Sequence, residues 1–300
     1  MAELRHELSW SSSRSRAFGE CRRAYFYLYY GSWRGWERDA PGPVRRAYLL
    51  KQLTNLDILA GSAVHAGLQW YFLERRKGGT PSREEVVDRT LEEMRRTWRQ
   101  SKAGGWEEDP KRNARLHEHH YGGDLSKGRT DRIRAKALRC LETFFSLPSL
   151  ARVREAPADA VLLCEERDGF TFEGWKIHAV PDLALREGED LVLLDWKSGR
   201  PSARDPLQLA VYALYAGEKF GARPPRVRGV LAYLGEGRLE ASAIGEASLE
   251  EARAEIRRSL AAMKEVHFDP DEVPLDPERF PMSGYPRACP RCNFREMCGV

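Results

Sequence analysis

The stretch that decides the fold is PDLALREGEDLVLLDWK, which runs from Pro181 to Lys197. Two apolar runs in it flank an acidic turn that contains glycine, at residues 187–190. Short apolar runs separated by such a turn are typical of neighbouring β-strands. If the two strands pair antiparallel, Asp182 and Asp195 lie on the same side near one end of the sheet, close enough to share a divalent cation.

The second strand ends in the triplet Asp195-Trp196-Lys197. Because side chains alternate along a strand, Asp195 and Lys197 point to one face and Trp196 to the other. Carboxylate oxygens suit Mg²⁺ or Mn²⁺, and an ammonium group beside the cation can position an attacking water and stabilise phosphoryl charge. An isolated triplet of this kind is usually a pair of surface charges. This one extends the apolar run 191–194, where charges cost free energy unless they are paired or bind metal.

The surrounding sequence predicts an α/β fold. Four short apolar or alternating segments are expected to be consecutive strands of one sheet: 159–166, 169–178, 179–185 and 190–196. A helix with Pro206 near its first turn and a strand over 227–234 then complete a strand, helix, strand crossover.

The segment 32–150 is predicted to be mostly helical. Residues 61–77 place apolar side chains at a four-residue step, with His65 beside that face. Serine and glutamate three residues apart predict helix capping boxes that begin at Ser82 and at Ser248.

Composition narrows the class of protein. The chain has 300 residues, a net charge of +4 and eight Trp with eleven Tyr and eleven Phe, which is ample material for a folded core. It has no apolar run of signal-peptide or membrane-span length, so we expect a soluble cytoplasmic protein. Residues 111–139 hold nine Lys or Arg against three acidic residues, which predicts either a solvated helix face or a surface that follows phosphates.

Four of the six cysteines have a distinctive distribution. Cys289, Cys292 and Cys298 lie within ten residues, and Cys21 lies on a predicted helix that starts at Ser11. A disulfide is disfavoured in the cytoplasm, and three thiols need a fourth partner for tetrahedral zinc or an iron-sulfur cluster. Thiol chemistry alone leaves zinc and iron-sulfur open. The other two cysteines, Cys140 and Cys164, are interpreted as buried structural thiols.

Pro181-Asp182 followed by Asp195-x-Lys197 resembles the signature of the PD-(D/E)XK nucleases. The flanking motifs resemble the RecB-like branch of that superfamily: His65 in GSAVHAGL, and Gln208 with Tyr212 in QLAVYAL. The resemblance implies a restriction-endonuclease-like core, in which a mixed central sheet is flanked by helices, with a helical N-terminal or inserted subdomain and a four-cysteine cluster.

The resemblance also implies a role for each motif residue. Asp182 and Asp195 would bind Mg²⁺ or Mn²⁺, with the main-chain carbonyl of Trp196 as a further ligand, and Lys197 would position the attacking water. His65 would complete the metal site. Gln208 and Tyr212 would orient the active site or the DNA strand. A weaker candidate is Glu166, which we expect to be exposed.

The cysteine pattern resembles the iron-sulfur staple of AddB-type, exonuclease V-type and CRISPR-associated RecB-like nucleases, which favours [4Fe-4S] over zinc. On this basis the chain divides into an N-terminal helical segment with Cys21, a helical subdomain, a nuclease core, and a C-terminal helix with the cluster segment: 1–60, 61–155, 156–245 and 246–300.

The function implied is a metal-dependent deoxyribonuclease, expected to be an exonuclease on single-stranded or frayed DNA in DNA repair, recombination or CRISPR adaptation. We expect residues 111–139 and the aromatic stretch 24–30 to line the passage of the strand. Two alternatives remain. One is a DNA-binding or assembly subunit of a larger protein complex in which cleavage is secondary. The other is a zinc-stabilised interaction module whose acidic residues are incidental.

Overall fold

The fold comes from a computed structural model that describes residues 5–166, 168–283 and 288–300. Residues 1–4 of the first predicted segment, 167 of the predicted core and 284–287 of the last segment lie outside the described residues. The chain has a mixed α/β fold, as predicted. A five-stranded sheet is flanked on both faces by helices.

The helices surround the sheet and account for most of the first half of the chain. In chain order they are α1 (Ser12–Glu20), α2 (Arg22–Phe26), α3 (Gly42–Lys51), α4 (Leu56–Arg76), α5 (Arg83–Ala103), α6 (His117–Tyr121), α7 (Lys127–Ser146), α8 (Ala151–Arg154), α9 (Asp205–Phe220) and α10 (Glu246–Lys264). A π-helical turn covers Tyr27–Gly31. The capping box at Ser82 is present and begins α5.

The strands form one main sheet and a separate hairpin. They are β1 (Val161–Leu163), β2 (Gly169–Phe172), β3 (Trp175–His178), β4 (Leu183–Glu187), β5 (Asp190–Lys197), β6 (Val227–Tyr233) and β7 (Arg238–Ala243). The sheet order is β1-β4-β5-β6-β7. Among the described residues, the β5/β6 pair is the only parallel one in this sheet, and α9 makes the crossover between these two strands.

Strand β5 is buried on both faces, which explains its continuous apolar sequence. Leu191 and Leu193 join the core shared with α9, α10 and the N-terminal helices. Val192, Leu194 and Trp196 join the other core, together with residues of α4 and α7. The period of two therefore places alternate side chains of this strand in two different cores.

Three details of the sequence interpretation were wrong. The segment 169–178 does not enter the main sheet, because a turn at Glu173 and Gly174 folds it into the β2/β3 hairpin. The capping box at Ser248 does not form, since α10 already begins at Glu246. Cys21 does not lie within a helix. Its extended backbone separates α1 from α2.

The two ends of the chain are packed together. The guanidinium of Arg23 donates to the carbonyl of Phe280 at 2.8 Å, and the hydroxyl of Tyr27 donates to the carbonyl of Met297 at 3.3 Å. Tyr25, Phe26 and Tyr30 are almost fully buried in this contact. The expectation that the aromatic stretch lines a strand passage was therefore wrong, because its rings form the core that joins the ends.

Across the ranges that the structure describes, no helix combines the length and the apolar character needed to cross a bilayer.

Candidate active site

Asp182 and Asp195 meet at one end of the β4/β5 pair, as the sequence predicts. Leu183 pairs with Leu194, so the residues that precede and follow them lie opposite each other. Oδ2 of Asp182 accepts a hydrogen bond from the main-chain N–H of Trp196 at 2.6 Å. The side chain of Asp182 thus continues the ladder of hydrogen bonds one step beyond the end of β4.

A compact group of potential metal ligands surrounds Asp182. Nδ1 of His65, on α4, lies 3.2 Å from Oδ1 of Asp182 and 3.2 Å from Oε1 of Glu165. One ligand atom from each of these three residues lies within 4.8 Å of the other two. The predicted His65 is therefore placed beside the predicted Asp182, although they are 117 positions apart in the sequence.

The electrostatics of this group favour a positive charge. Burial lowers the pKa of His65, but the adjacent Asp182 and Glu165 carboxylates outweigh it and raise the pKa well above 6.5. A cation held by the same groups would replace that proton, since an imidazole ligand must be neutral.

Asp195 and Lys197 lie together on the face of β5 that α9 covers. Nζ of Lys197 is 2.6 Å from Oδ2 of Asp195, and it donates to Oε1 of Gln208 at 2.7 Å. Gln208 in turn donates to the hydroxyl of Tyr212 at 2.6 Å, and this hydroxyl lies 3.3 Å from Oδ1 of Asp195. Because Gln208 and Tyr212 are four residues apart on α9, they lie on the same face of the helix and both reach the Asp195 and Lys197 pair.

Burial and the nearby Asp182 raise the pKa of Asp195 to about 6. Burial and the same two carboxylates raise the pKa of Tyr212 well above its ordinary value, so its hydroxyl stays protonated and acts as a donor. Burial lowers the pKa of Lys197, but Asp195 and Asp205 outweigh it, so the ammonium keeps its charge.

Glu165 is a site residue that the sequence interpretation missed. It follows β1, and its backbone has a φ of +48°, which side-chain-bearing residues rarely adopt. The neighbouring Glu166, the weaker sequence candidate, is exposed as expected and pairs with Arg76. Alternation along β1 does not distinguish the two acids, because Leu163 and Cys164 are both buried.

Asp205 is a second residue that was missed. It is buried in the first turn of α9, and its Oδ1 lies 3.4 Å from Nζ of Lys197. Its Oδ2 accepts hydrogen bonds from the main-chain N–H of Ser202 at 2.9 Å and from the hydroxyl of Tyr233 at 3.0 Å. A serine followed three residues later by an acid is a helix-start signal, so the sequence indicates a cap rather than a contact with Lys197.

The residues present fit a divalent metal ion. Oδ2 of Asp195 is buried, and no described donor approaches it in hydrogen-bonding geometry, although Lys197 is close. The carbonyl of Lys197 accepts from Leu234, so the N–H and C=O of Trp196 point away from β6, towards Asp182. Carboxylates, one imidazole and a main-chain carbonyl form a donor set that suits Mg²⁺ or Mn²⁺.

The four cysteines with distinctive spacing are brought together where the chain ends meet. Burial and the neighbouring Cys292, Cys21 and Cys289 raise the pKa of Cys298 to about 11. The sulfur of Cys21 accepts the N–H of Ser283, and the sulfur of Cys292 accepts the N–H of Phe294, both at 3.4 Å. The structure thus brings these thiols into one neighbourhood, although no three of their sulfur atoms all lie within 4.8 Å of one another. Cysteine sulfurs are ligands of both zinc and iron-sulfur centres. Cys140 and Cys164 are buried elsewhere, as expected.

A family model described as the PD-(D/E)XK nuclease superfamily matches residues 9–299, which is almost the whole chain. A comparison of the chain with curated proteins found no match. The matched region contains the five-stranded mixed sheet with Asp182, Asp195 and Lys197 at the end of its central strands. The chain therefore belongs to the PD-(D/E)XK nuclease superfamily.

Proposed function

We propose that the protein is a Mg²⁺- or Mn²⁺-dependent deoxyribonuclease of the RecB-like branch that degrades single-stranded or frayed DNA from its ends. The observation that carries this proposal is the meeting of two groups at the end of β5. One is the ligand group of His65, Glu165 and Asp182, and the other is the ammonium of Lys197 beside Asp195.

In this proposal His65, Glu165, Asp182 and Asp195 hold the metal ion together with the carbonyl of Trp196. When bound, such an ion polarises a phosphoryl oxygen as a Lewis acid and favours attack by water. The oxygen-rich set and the single imidazole favour Mg²⁺ or Mn²⁺ over softer metals.

The ammonium of Lys197 positions the attacking water and stabilises the charge that develops on the non-bridging phosphoryl oxygens. It is held on one side by Oε1 of Gln208 and on another by Oδ1 of Asp205. Tyr212 keeps the carboxylate of Asp195 in place through its hydroxyl. Hydrolysis forms one P–O bond from the attacking water, which gives up a proton, and breaks one P–O ester bond, whose leaving oxygen takes up a proton.

We further propose that Cys21, Cys289, Cys292 and Cys298 bind a [4Fe-4S] cluster rather than zinc. The support is the electrostatic influence of Cys21, Cys289 and Cys292 on Cys298, which joins thiols from the two ends of the chain, together with the resemblance of their spacing to iron-sulfur nucleases. The cluster would fix α1 and α2 against the C-terminal segment, and it would take no part in hydrolysis. A role in DNA repair, recombination or CRISPR adaptation, and a place in a larger complex, belong to the same proposal.

The test is an assay on end-labelled linear DNA, single- and double-stranded, and on closed circular single strands, with Mg²⁺ or Mn²⁺. We expect linear single strands to be shortened and circles to survive. Lys197→Ala and Asp195→Ala should abolish the activity, while Lys77→Ala, which removes an exposed lysine at the end of α4, should leave it unchanged. Equal activity in the wild type and both site variants would refute the site. Rapid cleavage of circles would refute end dependence, and a wild type that binds DNA without cutting it would favour the assembly-subunit alternative.

A further inference from the structure

A cleft of about 780 Å³ opens beside the end of β5, and no residue of the β2/β3 hairpin lines it. Its walls come from the first turn of α4, the start of α6, one face of α7, the loop 198–200, the turn 235–236, and Arg291. Segments that are distant in the sequence thus form one surface. None of the residues proposed above to bind metal or water lines it.

Two segments of the chain connect the cleft to the active site: the loop after Lys197 and helix α4. Ser198, in its wall, directly follows Lys197. A Cβ at Gly61 would lie only 2.8 Å from Oγ of Ser198, so α4 runs tightly against this loop. His65 is one turn further along the same face of α4. A polymer that lay in the cleft would therefore reach the end of β5 where Lys197 and His65 are found.

Five cations and three carboxylates line the cleft. Asp57 pairs with Arg129 at 3.1 Å and with Lys136 at 3.4 Å. Glu118 accepts the N–H of Leu56 at 3.1 Å. The third carboxylate, that of Glu236, pairs with Arg238 at 2.9 Å. All three carboxylates are thus engaged by groups of the protein itself.

Three arginines of the cleft remain: Arg139, Arg200 and Arg291. They are exposed, and within the part of the chain that the structure describes no carboxylate lies within ion-pair distance of any of them. They come from α7, from the loop after β5 and from the cysteine-rich C-terminal segment. Unpaired guanidinium groups that converge on one cleft from three segments form a surface suited to several phosphates, since guanidinium binds phosphate through paired N–H donors.

We propose that this cleft binds the sugar-phosphate backbone of a single DNA strand that extends from the active site, with Arg139, Arg200 and Arg291 as its phosphate contacts. The inference rests on the proposed nuclease function and names the path of its substrate. Ile58, 55% exposed in the same cleft, offers an apolar surface to a sugar or base of the strand.

Asp57 acts in this cleft as an internal competitor of the strand. It occupies Arg129 and Lys136, two of the five cations of the cleft, which a phosphate would otherwise bind. Removal of its charge should strengthen binding, whereas removal of the free arginines should weaken it. These two changes of opposite sign separate a phosphate site from a merely structural cluster.

The experiment measures binding of a labelled oligo(dT) of 20 nucleotides to the full chain that carries Lys197→Ala, which prevents cleavage, over a range of salt concentrations. Replacement of all three free arginines by Gln should weaken binding at least tenfold and reduce the slope of log affinity against log salt by about 2, since a single strand contributes roughly 0.7 per neutralised phosphate. The matched control replaces Arg152, Arg186 and Arg223, three exposed arginines outside both the cleft and the basic segment 111–139, and should leave affinity and slope unchanged. Thermal melting verifies that both variants are folded.

Asp57→Asn should tighten binding about threefold, and this gain should vanish when Arg129 and Lys136 are already Gln. If the cleft variant and its control bind equally, while the protein with Lys197 intact cleaves DNA, the cleft proposal is overturned and the nuclease function stands. A wild type that neither binds nor cleaves DNA would overturn the nuclease function itself.

Discussion

The carboxylate of Asp182 accepts the main-chain N–H of Trp196 at 2.6 Å, so the first acid of the motif holds the strand that carries the second. Its other oxygen faces His65 at 3.2 Å. The buried side chain of Asp182 thus has two roles: it accepts a hydrogen bond that holds β5, and it belongs to the ligand group. Mutation can separate these two roles.

Asp182→Asn keeps an acceptor for the N–H of Trp196 but removes the charge, whereas Asp182→Ala leaves that buried N–H unpaired. Both variants should lose nuclease activity. The free energy of unfolding should be lower in the Ala variant than in the Asn variant by about 1–3 kcal/mol, the cost of an unsatisfied buried donor. Urea unfolding measures this difference. Equal stability of the two variants would show that the hydrogen bond does not hold β5.

The residues placed by periodicity could be predicted from the sequence. Asp195 and Lys197 share a face because strands alternate, and Gln208 and Tyr212 share a face because helices repeat every 3.6 residues. His65 was identified by its motif, since periodicity places it on a helix but does not show what the helix faces.

The residues that depend on tertiary contacts could not be predicted. Glu165 contacts His65 although the two are 100 positions apart. It does so through a backbone conformation with positive φ, which a glutamate at this position does not indicate. Asp205 gives a helix-start signal, and its contact with Lys197 depends on how α9 packs on β5. The break in the helix at Cys21 was missed because the serines before it and the aromatic residues after it are compatible with one continuous helix.

The positive φ of Glu165 leads to a prediction about strain at the site. Glu165→Gly removes the unfavourable left-handed conformation and should raise the free energy of unfolding by about 0.5–1 kcal/mol, while it weakens Mn²⁺ binding. Glu173, with a φ of +50°, lies in the exposed turn of the β2/β3 hairpin and provides the matched control. Glu173→Gly should stabilise the fold without any effect on Mn²⁺ affinity measured by calorimetry. Unchanged Mn²⁺ affinity in Glu165→Gly would remove this residue from the ligand group.

Asp205 is expected to be a positioning residue for Lys197. Asp205→Asn removes the negative charge that faces the ammonium of Lys197. The kcat should therefore fall roughly tenfold, while the KM for DNA stays the same. Tyr233→Phe removes the hydrogen bond on the other carboxylate oxygen and keeps the charge, so its kcat should change less than about twofold. A residue with only a structural role would lower the melting temperature without this split between kcat and KM.

Under the proposed iron-sulfur assignment, loss of one of the four cysteines should release the metal without unfolding the chain. Cys21→Ser and Cys298→Ser should lose most of the bound iron and the visible absorbance, and their melting temperatures should fall. The contacts of Arg23 and Tyr27 with the C-terminal segment remain and keep the chain folded. Cys164→Ser, which changes a buried thiol outside the group, should retain its iron. Wild-type protein that contains zinc and lacks the absorbance would contradict the iron-sulfur assignment.

Asp168 gives the fold a pH dependence. Hydrogen bonds from Lys219, from the N–H of Gly169 and from the hydroxyl of Tyr215 lower its pKa to about 2, so it ties the hairpin to α9 beside Gln208. Because the unfolded pKa is about 3.9, the stabilisation is fully present above that pH and is lost as the pH falls through 2. Asp168→Asn should lower the free energy of unfolding by about 1 kcal/mol at pH 7, a value that allows for solvent screening of this partly exposed group, and should have no effect near pH 2. Urea unfolding of both proteins from pH 7 to pH 2 measures the convergence, and a difference that stayed constant with pH would show that the carboxylate charge does not stabilise the hairpin.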